Sequence, residues 1–208
     1  SFGILLLISS SYYGQEMKET QLNSLKNNKY SAICGPVGTV LCSSASYQLL
    51  GANMGTNSAT VFPAPFGNYY KTIKEQYLFK ASEIIAAGFT GGEITEIAWE
   101  TIAQNGATNS FNEYQIRIGC TNQNYINSWQ YGLSTVFIGQ NITIALGLNN
   151  FSLNNAYQWD GTSNLIVEIC YDNIVTGTYS SNWSTPFEIT NFNSAISYRN
   201  DLIPACSY

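Results

Sequence analysis

Histidine is absent from the 208 residues. Its absence removes the commonest general base and a frequent metal ligand, and excludes serine–histidine and cysteine–histidine catalysis. Charge is scarce as well: Asp, Glu, Lys and Arg make up 10% of the chain and the net charge is -5. There is no basic field to hold a phosphate backbone, so nucleic acid is not an expected partner. The five cysteines, Cys34, Cys42, Cys120, Cys170 and Cys206, contain no C-x-x-C pair, which argues against a structural zinc site. No apolar run approaches the roughly 20 residues of a membrane-crossing helix. No segment carries a recognisable acid–base motif, and the chain reads as non-enzymatic.

What is present is aromatic and hydrogen-bonding. Phe, Trp and Tyr reach 14%, and abundant Asn, Ser, Thr and Gly give an uncharged polar surface of the kind common in extracellular β proteins. Five cysteines suit an oxidising compartment, with at least one thiol left free or paired between chains. Cys34 and Cys42 flank the turn-rich Gly-Pro-Val-Gly-Thr-Val-Leu and are a candidate local disulfide. Cys120 and Cys170 read as small buried hydrophobes at strand ends.

Short runs rich in Ile, Val, Thr and aromatics, separated by Gly and Asn, fill residues 77–173. They predict an all-β fold, an antiparallel, jelly-roll-like β-sandwich over residues 31–208, preceded by an N-terminal arm over 1–30. Strands are predicted at 77–79, 94–100, 114–119, 135–138, 142–146, 165–169 and 195–199. In the third of these, Ile116 and Ile118 share one face and Arg117 takes the other. Gly139-Gln140-Asn141 reads as a hairpin loop, and Ala81 to Gly88 as a turn or two of helix ended by glycine. Residues 16–30 read as a weak amphipathic helix or a linker, and Thr39-Val40-Leu41 as one more strand.

The arm carries a dense apolar run, Phe2, Ile4, Leu5, Leu6, Leu7 and Ile8, followed by serines. Three readings stand for it: the end of a secretory signal, a strand packed in its own domain, or a strand donated to the sheet edge of another subunit.

Two further groups are candidate sites. Phe66, Tyr69 and Tyr70, beside the extended Phe62-Pro63-Ala64-Pro65, offer with Trp129 and Trp183 a platform for sugar stacking or a partner. The competing reading is that these rings pack over an open end of the sandwich. Asp160, Asn164 and Asp172 offer oxygen ligands for a structural calcium, but the stronger reading of Asp-Gly is a turn dipeptide, and no cofactor is expected. Glu93, Glu96, Glu100, Glu113 and Glu168 supply carboxylates for glycoside hydrolysis, but none sits in an acid–base motif. Asn141, Asn150 and Asn182 open N-x-[ST] sequons.

Taken in order, "ATVFPAPFGNYYKTIKEQYLFKASEIIAAGFTGGEITEIAWE", "YQIRIGCT", "VFIG" and "WDGTSNLIVEICYDN" resemble a β-rich module of secreted and surface proteins of Bacteroidota. That module accompanies adhesins, secreted peptidases and long proteins exported by the type IX route. The resemblance spans about residues 59–173 and implies a secreted or cell-surface location and a non-catalytic, adhesive or accessory role. Related modules usually continue past the position of Cys206 into another strand, and the apolar run at 2–8 is no part of the pattern. A sandwich short of a strand with a spare strand at its other end suits complementation between subunits. The expected function is therefore adhesion, or self-assembly into a filament or sheath, with other copies or surface proteins as partners. The alternative is a carbohydrate-binding module with polysaccharide as its partner.

Overall fold

The computed structural model describes residues 4–9, 35–36, 45–50, 55–175 and 181–208; for residues 4–9, 35–36 and 45–49 it describes the backbone alone. The described strands are β1 (Ile4–Ser9), β2 (Gly35–Pro36), β3 (Ala45–Leu50), β4 (Gly55–Thr56), β5 (Thr72–Phe79), β6 (Gly92–Thr101), β7 (Ser110–Thr121), β8 (Ser134–Thr143), β9 (Gly147–Trp159), β10 (Asn164–Asp172), β11 (Pro186–Phe187) and β12 (Ala195–Asn200). One helix, α1 (Ala81–Ala86), follows β5. Its start is fixed by Glu83, whose carboxylate accepts from the Lys80 amide at 2.8 Å. Its end is Gly88, which at φ 99° takes a conformation that side chains disfavour.

The strands form two five-stranded sheets, β2-β9-β6-β1-β3 and β12-β5-β10-β7-β8, and a two-stranded β11-β4. All pairings are antiparallel. Alternation explains why the two large sheets meet. Tyr114, Ile116 and Ile118 of β7 and Leu165, Val167, Ile169 and Tyr171 of β10 join Ile94, Ile97 and Trp99 of β6 and Phe151 of β9 in one buried cluster. Its centre is aromatic: the Tyr114 ring stacks on Phe151 at 5.3 Å, and Phe66 reaches Trp99 edge-on at 6.2 Å. Burying one such ring contributes about 3 kcal/mol. The fold is thus all-β and sandwich-like; the strand orders do not establish the jelly-roll connectivity expected from sequence.

β5 is unusual in being buried on both faces along its whole length. Ile73, Tyr77 and Phe79 enter the central cluster. On the outer face, Leu78 packs with Ile126 and Ile166, while the chain end folds back over the Thr72 side: Ala205 donates its amide to Thr72 Oγ1 at 2.8 Å. A disulfide between Cys170 of β10 and Cys206 ties that end down, with Cα atoms 5.2 Å apart. Cys170 is therefore a crosslink and not merely a small hydrophobe, and Cys120 is disulfide-bonded too.

Two further expectations are corrected and one open reading is narrowed. Residues 139–141 are not a hairpin loop: Gly139 and Asn141 lie opposite Tyr114 and Asn112 inside β8, because β7 is long enough to pair the whole segment. β9, not expected at all, is the longest described strand, with 13 residues, and buries Phe151, Leu153, Ala156, Tyr157 and Trp159. Finally, Ile4, Leu5, Leu6, Leu7 and Ile8 lie in β1, hydrogen-bonded to β3 on one side and β6 on the other. Phe2, the Cys34–Cys42 pair, the strand at 39–41, the helix or linker at 16–30 and the boundary at residue 30 lie outside the described residues.

Candidate functional site

Strand register builds a polar row on the outer face of the second sheet. Glu168 of β10 stands opposite Gln76 of β5 on one side and Arg117 of β7 on the other, and Arg117 in turn faces Thr135 of β8. Lys74 lies two residues from Gln76, on the same face. Alternation that sends Tyr77, Ile116 and Val167 into the core necessarily sends these polar neighbours outward.

They are outward but only partly solvated. The Glu168 side chain is 2% exposed; its Oε1 accepts from Arg117 Nη1 at 2.7 Å, and its Oε2 accepts from Gln76 Nε2 at 2.6 Å with Lys74 Nζ at 3.5 Å. Arg117 Nη2 also donates to Gln115 Oε1 at 2.8 Å and to the Cys206 carbonyl at 3.2 Å, and Lys74 Nζ donates to the Tyr208 carbonyl at 2.8 Å. The loop between β7 and β8 closes the other side. Gln76 Nε2 donates to the Gln130 carbonyl at 2.7 Å and Gln76 Oε1 accepts the Gln130 amide at 2.8 Å. Gly119 permits that closure, since a Cβ there would lie 2.4 Å from Leu133 Cδ2.

The result is a recess of about 270 Å³ whose walls include Lys74, Arg117, Gln130, Tyr131, Thr135 and Glu168. Aromatic rings stand beside it. Tyr131 is 80% exposed. The Trp129 ring lies 5.0 Å from Lys74 Nζ, and Tyr208 stacks on Tyr198 at 3.8 Å and meets Trp129 edge-on at 6.4 Å. Among the side chains of the recess, two cations face one carboxylate, in a chain of net charge -5.

A second, larger hollow of about 420 Å³ lies by β11 and is mainly apolar, its walls including Val61, Phe62, Phe187 and Ile189 with Asn57 and Glu188. Glu75, on the inner face of β5, lines neither. It is fully buried, accepts the Tyr77 hydroxyl and takes the Ala64 amide at 2.9 and 3.1 Å on its two oxygens. Burial pushes its carboxyl up to about 7, against the opposing pull of those hydrogen bonds and of Arg199. Burial and the nearby Glu75 also push the Tyr77, Tyr114 and Tyr171 hydroxyls well above their ordinary range.

The predicted platform is divided. Phe66 and Trp183 are core residues, and Trp183 Nε1 donates to the Thr108 carbonyl at 2.9 Å. Tyr69 and Tyr70 pair edge-on at the start of β5, with Tyr70 also beside Phe62 and Arg199. Of the five, Trp129 alone stands beside the recess, its ring over Lys74.

The calcium set is corrected as well. Asp160 and Asn164 lie at one end of β10 and Asp172 at the other, about 26 Å along an eight-residue rise, so they cannot share an ion. Each carboxylate serves its own turn: Asp160 accepts the Thr162 and Ser163 amides at 2.9 and 2.7 Å, and Asp172 that of Ile174 at 2.8 Å. Burial is the largest single influence on the Asp160 carboxyl and would raise it, but the Ser163 hydroxyl and the Ser163 and Thr162 amides together hold it below its ordinary value. Asn164 Oδ1 accepts the Ala81 amide at 2.8 Å. Among the hydrolase carboxylates, Glu96 is in the first sheet and accepts Ser152 Oγ at 3.0 Å, while Glu168 is in the second.

Lys74, Gln130, Tyr131 and Thr135 were not singled out from sequence. The available signal was the pair of alternating segments Lys74-Glu75-Gln76-Tyr77 and Gln115-Ile116-Arg117-Ile118, whose polar members share a face. Set against protein-family models, curated proteins and solved structures, the chain matches none.

Proposed function

We propose that the chain is a non-catalytic, extracellular binding module that attaches to saccharide through the recess on its second sheet, and so serves adhesion at a cell surface. The observation that carries this reading is the combination of a small polar hollow with an adjoining, 80% exposed tyrosine. Saccharides present hydroxyls to donors and acceptors and an apolar ring face to an aromatic side chain. The buried Glu168 carboxylate holds Lys74 and Arg117 in place before any ligand arrives, which lowers the ordering cost of binding. The Cys170–Cys206 disulfide favours an oxidising, extracellular setting. A type IX route in Bacteroidota rests on the motif resemblance alone.

Assembly by strand donation is the weaker reading, because β1 already has a hydrogen-bonded neighbour on each side within its own chain. Affinity electrophoresis of the purified chain through gels containing a panel of neutral and acidic polysaccharides tests the proposal. Retardation by at least one polymer supports it, and unaltered migration in all of them contradicts it.

A further inference from the structure

We infer that the saccharide bound in the recess is an acidic one, whose carboxylate is taken by Arg117 and Lys74; this rests on the saccharide reading above. Glu168 has little left to offer a ligand. Its oxygens are occupied by Arg117, Gln76 and Lys74, and its side chain is 2% exposed. The cations are not so used up. Of the five N–H donors of a guanidinium, Arg117 commits three, to Glu168, Gln115 and the Cys206 carbonyl, and its side chain is 22% exposed. Lys74, whose side chain is 5% exposed, gives two of its three donors, to the Tyr208 backbone oxygen and Glu168, and lines the recess with the third.

An entering ligand therefore meets N–H donors of Arg117 and Lys74 that Glu168, itself a wall of the recess, does not use up. A carboxylate accepts charge-assisted hydrogen bonds from such a pair, and the partly dry walls strengthen them. Gln130 and Thr135 are placed for ring hydroxyls, and Tyr131 for the ring face. The volume of about 270 Å³ falls just under the range of roughly 300–1,000 Å³ typical of drug-sized ligands, so one uronate ring is the natural unit.

The test compares polygalacturonate, the same polymer fully methyl-esterified, alginate and a neutral glucan as ligands of the intact chain, by calorimetry and affinity electrophoresis. At least tenfold tighter binding of polygalacturonate or alginate than of the ester and the glucan, weakening as salt is raised, is the expected result. Arg117→Gln should reduce that preference at least tenfold. The ester comparison uses the unaltered protein and so holds even if that variant folds poorly. Equal binding of ester and acid overturns the acidic-sugar inference and leaves the saccharide reading standing; no binding of any polymer overturns both.

Discussion

Glu168 Oε1 accepts Arg117 Nη1 at 2.7 Å, and the other oxygen of the same carboxylate serves Gln76 and Lys74. One buried anion therefore balances two cations across three neighbouring strands. Removing it with Glu168→Leu leaves two uncompensated charges and is expected to cost about 3–5 kcal/mol in urea denaturation. Replacing all three charged residues by Met or Leu should recover most of that loss and abolish ligand binding. If Glu168→Leu alone is neutral, the network does not hold the recess together.

Glu75 makes stability depend on pH in a definite direction. Its carboxyl moves from an ordinary 4.5 to about 7 on folding, so the folded state binds the proton more tightly. Its contribution is fully present below about pH 4.5 and disappears as pH rises through about 7, a swing of about 3 kcal/mol. Denaturant titrations from pH 4.5 to 8 should show wild type losing stability relative to Glu75→Gln. The groups around it are the Tyr77 hydroxyl, the Ala64 amide, Arg199, Tyr114 and Tyr171. Parallel curves for the two proteins would place the Glu75 carboxyl near its ordinary value in the fold.

The Cys170–Cys206 bond closes a separation of 36 residues, for which chain entropy gives about 4 kcal/mol. Cys170→Ala with Cys206→Ala should lower the melting temperature accordingly. Because the Cys206 and Tyr208 carbonyls accept from Arg117 and Lys74, saccharide affinity should fall with it. An unchanged affinity would show that the recess is shaped by the sheet alone.

Deleting residues 1–9 removes β1 from between β6 and β3 and leaves both ladders without partners. The expected product aggregates or lacks a cooperative thermal transition by circular dichroism. A folded, monomeric product that has lost only the ability to polymerise would instead favour strand donation.

Most strands were legible because their faces differ. Tyr114-Gln115-Ile116-Arg117-Ile118 alternates cleanly, and its apolar members enter the core while Arg117 faces out. β9 was hidden by composition: Asn is depleted in strands, yet Asn149, Asn150, Asn154 and Asn155 occupy outward or edge positions of a strand whose Phe151 and Leu153 point inward. The platform failed for the opposite reason. Nothing local distinguishes Phe66 and Trp183, which are sealed, from Tyr131, which is exposed; that depends on which elements cover them. The recess was illegible because Lys74, Arg117 and Glu168 are 43 and 51 residues apart along the chain and meet only through strand order. Asp160 and Asp172 were misleading because carboxylates that cap turns and carboxylates that bind calcium have the same sequence appearance.

Tyr131 gives the most direct test, since a residue that exposed can be truncated without disturbing the core. Affinity electrophoresis of wild type and Tyr131→Ala across the polysaccharide panel, with thermal melts alongside, separates binding from folding. The account predicts retardation of wild type, at least tenfold weaker binding by Tyr131→Ala, and matching melting temperatures. Wild-type migration unaffected by every polymer, or a Tyr131→Ala protein that binds as well as wild type, would contradict it.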